Sequence, residues 1–66
     1  MKYKDIRVGD IHDGLSVDAT TLKERSSASK IVGVTPGNGK IIIIKEDGSW
    51  TVGLFNEDVP DGDILR

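Results

Sequence analysis

Apolar residues along this chain fall into short alternating or β-branched runs separated by turn residues, a pattern of strands rather than helices. The densest stretch, residues 30–55, reads KIVGVTPGNGKIIIIKEDGSWTVGLF. At its centre Ile41, Ile42, Ile43 and Ile44 are stiff at χ1 and suited to a pleated surface. Successive strand side chains point to opposite faces, so Ile41 and Ile43 go one way and Ile42 and Ile44 the other. A strand apolar on both faces is expected at the centre of a closed or folded-over sheet; failing that, a dimer partner has to cover its second face. Pro36, Gly37, Asn38 and Gly39 form a hairpin link back to residues 30–35, and Asp47-Gly48 marks a tight turn into residues 50–55. Together the three runs predict an antiparallel meander. Trp50, Val52 and Leu54 are expected on its core face, with Phe55 turned to the other.

The flanking residues carry weaker signals. Residues 4–11 alternate polar and apolar, with Ile6 and Val8 on one side, and predict a first strand ending in a Gly9-Asp10 bend. Asp13-Gly14 reads as a turn, and Leu15, Val17 and Ala19 alternate with polar residues in a second half-buried strand or extended arm. Thr21 and Glu24 have the spacing of a capping box, which allows one helical turn within residues 20–25. Ser26, Ser27, Ala28 and Ser29 read as a mobile link. Past the meander, residues 59–62 form a turn, and Asp63, Ile64, Leu65 and Arg66 are expected to add a short strand closing onto the first.

Sixty-six residues allow one small domain, 1–66, near the lower size at which a single core holds a chain together unaided. There is no cysteine, which excludes disulfides, thiolate zinc sites and redox dithiols. A closed barrel is the economical solution, because it covers apolar strand faces and leaves little free edge. The fold class expected is therefore all-β: a small barrel of five or six short antiparallel strands with at most one helical turn. A net charge of −2 exerts no global pull on nucleic acid or anionic lipid. No apolar run approaches the roughly 20 residues that span a bilayer. The expectation is a soluble, cytoplasmic protein with no membrane contact and no cofactor.

At this point a family resemblance enters. Ile6-Arg7-Val8-Gly9-Asp10-Ile11 resembles the first strand of many SH3-like barrels, including KOW and Tudor modules, in which a Val-Gly-Asp bend precedes a long loop. Residues 53–59, GLFNEDV, are similar to the segment that leads into the last turn of SH3 domains. The resemblance implies an SH3-like barrel. It leaves the ligand open, because the chain lacks the paired tryptophans of a proline-peptide groove, the clustered aromatics of a methyl-lysine cage and the basic loops of a ribosomal KOW module.

Few residues suggest chemistry. His12 is the only histidine, between Asp10 and Asp13, and reads as a turn histidine, because no second histidine or cysteine completes a metal site. Ser26, Ser27 and Ser29 have no base placed beside them by the sequence. Gly37-Asn38-Gly39-Lys40 lacks the spacing and the following helix of a phosphate-binding loop, and residues 58–63 lack the spacing and terminal glutamate of a calcium loop. Charge is more informative. Residues 36–66 carry three basic against six acidic groups, and residues 1–35 six against five. Glu57, Asp58, Asp61 and Asp63 form a candidate acidic patch for contact with a protein. Lys2, Lys4, Arg7, Lys23, Arg25 and Lys30 are candidates for one basic edge contacting a nucleic-acid backbone, if the barrel brings them together.

With no catalytic or metal constellation, the function expected is a non-enzymatic protein-binding module, monomeric or homodimeric, that docks on a larger protein. Its size suits an accessory protein encoded by a virus or mobile element. The alternative is a nucleic-acid-binding module of the KOW type.

Overall fold

A computed structural model describes residues 1–65. Its organising element is β2, Glu24–Gly37, a strand of 14 residues. Fully extended, such a strand would run about 46 Å at 3.3 Å per residue, yet the longest dimension of the molecule is 29 Å. β2 therefore has to bend. It does so at a bulge between Ile31 and Gly33, where the register against the next strand shifts. Its first half pairs antiparallel with β1, Ile11–Asp18, over seven residue pairs, and its second half with β3, Lys40–Lys45. β3 pairs with β4, Ser49–Leu54, and β4 returns to β1 through Val17 opposite Trp50 and Asp18 opposite Ser49. Four strands thus close on themselves. A fifth, β5, Ile64–Leu65, lies along the other half of the same β1 edge, opposite Ile11 and His12.

The protein is all-β, a closed antiparallel four-stranded barrel with one extra strand and, among the described residues, a single 3₁₀ turn, Tyr3–Asp5, and no α-helix. The hairpin links follow the local sequence. β2 and β3 are joined by Asn38 and Gly39 alone, with φ of 51° and 76°, the two successive positive values that a two-residue turn matching strand twist demands. At the next turn Gly48 takes φ 87°.

The apolar core is small: Tyr3, Ile6, Ile31, Ile41, Ile43 and Val59, with Val34 and Ile64 packed against it. Ile41 and Ile43 point inward as the alternation predicts, while Ile42 and Ile44 point outward and stay exposed. The other end of the barrel is filled by His12, Ser16, Ser27, Lys45 and Ser49.

Several expectations from the sequence are corrected here. Residues 4–11 do not form a strand. The 3₁₀ turn drops Ile6 into the core, and Gly9 at φ 103° together with the Asp10 carboxylate, which accepts the Arg7 N–H, turns the chain and leaves Val8 exposed. Residues 20–25 contain no helical turn: Asp18 Oδ1 accepts the N–H groups of Thr20 and Thr21, and Leu22 takes φ 60° to start the hairpin. The serine run lies in the first half of β2, paired with β1, rather than in a mobile link. Asp13 and Gly14 do not form a turn but lie within β1, which ends at Asp18; its inward positions are His12 and Ser16, and Leu15 is exposed. β4 is turned over as well: Ser49 and Gly53 are buried, Val52 and Leu54 are about half exposed, and Trp50 is only partly covered. At Gly53 the cause is direct. The Tyr3 ring fills the space a β-carbon would need. The last strand is present as Ile64 and Leu65, and Arg66 lies outside the described residues.

Ile43 and Ile44 are the same residue type on opposite faces. Ile43→Ala should cost about 2–5 kcal/mol, and Ile44→Ala less than about 1 kcal/mol. Urea denaturation of the two variants reads the difference directly. At low protein concentration, where association does not contribute, equal costs would mean that the outer face is covered within the chain. Gly53→Ala, which displaces the Tyr3 ring, should destabilise the barrel at least as much as Ile43→Ala.

Candidate docking surface

Residues paired across neighbouring strands share a face, so the outer surface follows from the register. Ile42 lies opposite Val52, Ile44 opposite Trp50 and Lys40 opposite Leu54, and Trp50 in turn lies opposite Val17. Beside Ile44, β2 offers only Gly33, with Val32 pushed out at the bulge. The result is a contiguous apolar field of Ile42, Ile44, Trp50, Val52 and Leu54, edged by Val17 and Val32. Ile42, Ile44, Val32, Val52 and Leu54 are each between 41% and 51% exposed. Among the described residues no charged side chain lies between these positions, and Glu24 borders the field beside Val17 and Trp50. Lys40 stands at one end of β3 and Glu46 follows its other end. Near the second end, Ala19, Gly48 and Ser49 with Ile44 and Trp50 line a shallow apolar depression.

The inside of the same strands is polar at one end. Lys45 is two positions beyond Ile43, and alternation carries it inward, where it is 1% exposed. Its ammonium group has three donors and three acceptors: His12 Nδ1 at 2.8 Å, Ser16 Oγ at 2.6 Å and the Ser27 carbonyl at 2.7 Å. Ser16 then passes its own hydroxyl hydrogen to Thr51 Oγ1, and Thr51 donates to the Leu15 carbonyl. Because His12 Nδ1 accepts, the ring is neutral with its proton on Nε2, which faces Asp63 Oδ2 at 3.9 Å. Gly14 leaves the room for this approach, since a β-carbon there would lie 2.9 Å from the same Asp63 oxygen. Above Lys45, Asp47 accepts hydrogen bonds from the Ser27 and Ser49 hydroxyls and the Ser49 N–H, and it pairs with Arg25. These donors, the Ser27 hydroxyl foremost, hold the Asp47 carboxyl far below the usual range.

Burial lowers the pKa of His12, and the neighbouring Lys45 charge lowers it further against the smaller opposing pull of Asp63 and Asp13. Burial likewise lowers that of Lys45. His12 is therefore an interior strand residue and not a turn histidine. Among the described residues no cluster of His, Cys, Asp and Glu is arranged to hold a metal ion.

The six basic candidates do not share one edge. Lys30 lies opposite Ile11, beside the bend that carries Arg7, whose Nη1 donates to the carbonyls of Lys4 and Ile6. Lys23 and Arg25 flank the turn at the far end of the β1–β2 hairpin, six pairs or about 20 Å away. Arg25 is held by Asp18 and Asp47, and Lys2 pairs with Asp58 at 3.0 Å. The acidic candidates all lie in the connection from β4 to β5. Glu57, Asp58 and Asp61 are exposed, and Asp63 turns toward His12.

No protein-family model, curated protein or solved structure matches this chain. The surface itself must carry the functional argument. Sequence reasoning missed two of its parts. Lys45 was findable, because the alternation that puts Ile41 and Ile43 inside continues to it. The outward turn of Trp50, Val52 and Leu54 was not, because nothing local to β4 announces the Tyr3 ring that occupies its inner side.

For a base whose folded-state pKa lies below its unfolded value of 6.5, the unfolded chain binds the extra proton first. Stability is therefore full above about pH 6.5 and falls as the solution is acidified below it. Urea midpoints measured from about pH 8 to pH 5 should decline over that lower range, and the His12 ring should stay neutral by NMR below pH 6.5 while the barrel remains folded. A flat profile with a normally titrating ring would contradict the Lys45–His12 contact.

Proposed function

We propose that this chain is a non-enzymatic protein-docking module, a small barrel of the SH3-like kind whose contact surface is the outer face of β3 and β4. The observation that carries the reading is the uninterrupted apolar field of Ile42, Ile44, Trp50, Val52 and Leu54. Exposed apolar patches of this kind mark sites of association, because leaving them in water forgoes the stabilisation of burial. Trp50 supplies the aromatic anchor typical of contact hot spots. The acidic connection from Glu57 to Asp63 lies outside this field and would contribute at most to a rim.

Nucleic-acid binding of the KOW type gains less support. The basic candidates are divided between the two ends of a hairpin, and Lys2 and Arg25 are already engaged by carboxylates. The test compares the wild type with Ile44→Glu and with Lys4→Ala/Arg7→Ala in pull-downs from source-cell extract, with and without nuclease. Docking through the apolar face predicts a stoichiometric protein that survives nuclease and is lost with Ile44→Glu alone. Recovery that collapses with nuclease, or that depends on Lys4 and Arg7, would move the function to nucleic acid.

A further inference from the structure

We infer that the outer face of β3 and β4 is covered by a second copy of this chain, in a twofold dimer whose two sheets lie face to face with their strands antiparallel. The inference rests on the docking reading, since it uses the same face, and it names the occupant.

A face-to-face pair related by a twofold axis offers two aligned arrangements, with the axis in the interface running either along the strands or across them. Along the strands, an axis over β3 sets Lys40 over Lys40 and Glu46 over Glu46, which repel, and an axis between β3 and β4 sets Lys40 over Leu54 and Glu46 over Gly48, which pairs neither charge. Across the strands, direction reverses and unlike ends meet. Ile43 is the midpoint, since Lys40 and Glu46 each lie three residues from it, about 10 Å at strand spacing. An axis over the Ile43–Thr51 pair therefore brings each Lys40 over the Glu46 of the other copy, two unlike contacts from one register.

The same register satisfies shape. It sets Ile42 over Ile44 and Val52 over Trp50, apolar on apolar throughout. Leu54, half exposed at the Lys40 end, comes over Gly48, which with Ala19, Ile42, Ile44, Ser49 and Trp50 lines the apolar depression. A cation and an anion placed symmetrically about one point, with apolar side chains between them, describe a self-complementary surface. A stable contact covers about 800 Å² on each partner, roughly a fifth of the 4153 Å² that this chain exposes. The apolar field supplies the centre and the Lys40 and Glu46 ends supply the rim.

The test is light scattering and sedimentation on the full chain from about 5 µM to about 500 µM. The wild type should pass from the 7.1 kDa monomer to twice that mass. Ile42→Glu should remain monomeric throughout while keeping its circular dichroism and melting temperature at low concentration, because residue 42 makes no core contact. Lys40→Glu and Glu46→Lys should each weaken association about tenfold or more, and the double reversal, which restores both unlike contacts, should recover it. A wild type monomeric at the highest concentration overturns the dimer. The docking reading then stands or falls separately on whether Ile44→Glu loses its captured protein. A dimer that survives Ile42→Glu overturns the face, and one indifferent to the single reversals overturns the antiparallel register.

Discussion

One buried ammonium group organises one end of this barrel. Placing a charge where water is excluded is costly unless every donor is matched, and Lys45 meets that condition with a ring nitrogen, a hydroxyl and a carbonyl drawn from two other strands. The requirement dictates which way those strands face. β1 must turn His12 and Ser16 inward to serve Lys45, so Leu15 and Val17 go outward by alternation. β2 must bring Ser27 to the same point, which makes an ordered core segment of a run that looks like a linker. Satisfying one polar group thus exports apolar side chains to the surface, and the outer face of the molecule is partly a by-product of its inside.

Interior space is the second constraint. A four-stranded barrel is narrower than the eight-stranded kind whose lumen side chains just fill. Ile31, Ile41 and Ile43 fill one end, and Lys45 and His12 with the short hydroxyls of Ser16, Ser27 and Ser49 fill the other. β4 accordingly presents Ser49, Thr51 and Gly53 inward, and the larger Trp50, Val52 and Leu54 have no space inside. A chain this small cannot bury all its apolar residues, and concentrating the surplus on two adjacent strands makes it usable as a contact surface.

What the sequence made legible follows the reach of the signals. The four isoleucines, the turn residues Pro36 to Gly39 and the Asp47-Gly48 signal are local patterns, and they placed β3 and β4, although Pro36 and Gly37 belong to β2 and the link is Asn38 and Gly39 alone. The strands meeting end to end around residues 26–37 were also within reach, because a barrel needs a strand long enough to serve two neighbours. Facing was not. Alternation says that Trp50, Val52 and Leu54 share a side, but the choice of side depends on Tyr3, some fifty positions earlier, and no periodicity within β4 records it. The basic candidates show the same limit: they cluster in the sequence around residues 2–7 and 23–30, and only the hairpin register reveals the distance between the two groups. Lys45 marks the opposite case: its inward facing follows from the same alternation as Ile41 and Ile43, against the usual exposure of lysine.

The Tyr3 ring against Gly53 bears on how the chain reaches its fold as well as on what the fold is. The hairpins joining β2 to β3 and β3 to β4 close loops of a few residues, which chain entropy scarcely opposes. The ring can reach its site only after β4 exists, and it closes a loop of nearly the whole chain, accompanied by the backbone bonds from Tyr3 to Glu57 and from Val59 to Met1. Contacts of such sequence separation are the slow ones in small β proteins. The meander should therefore form first as an open sheet with the inner face of β4 bare, and the N-terminal segment should arrive last as its stopper. Until it does, the growing sheet exposes its outer apolar field on one side and Ile41 and Ile43 on the other, and the interval before Tyr3 docks is the period in which this protein is most exposed to mispairing with its neighbours.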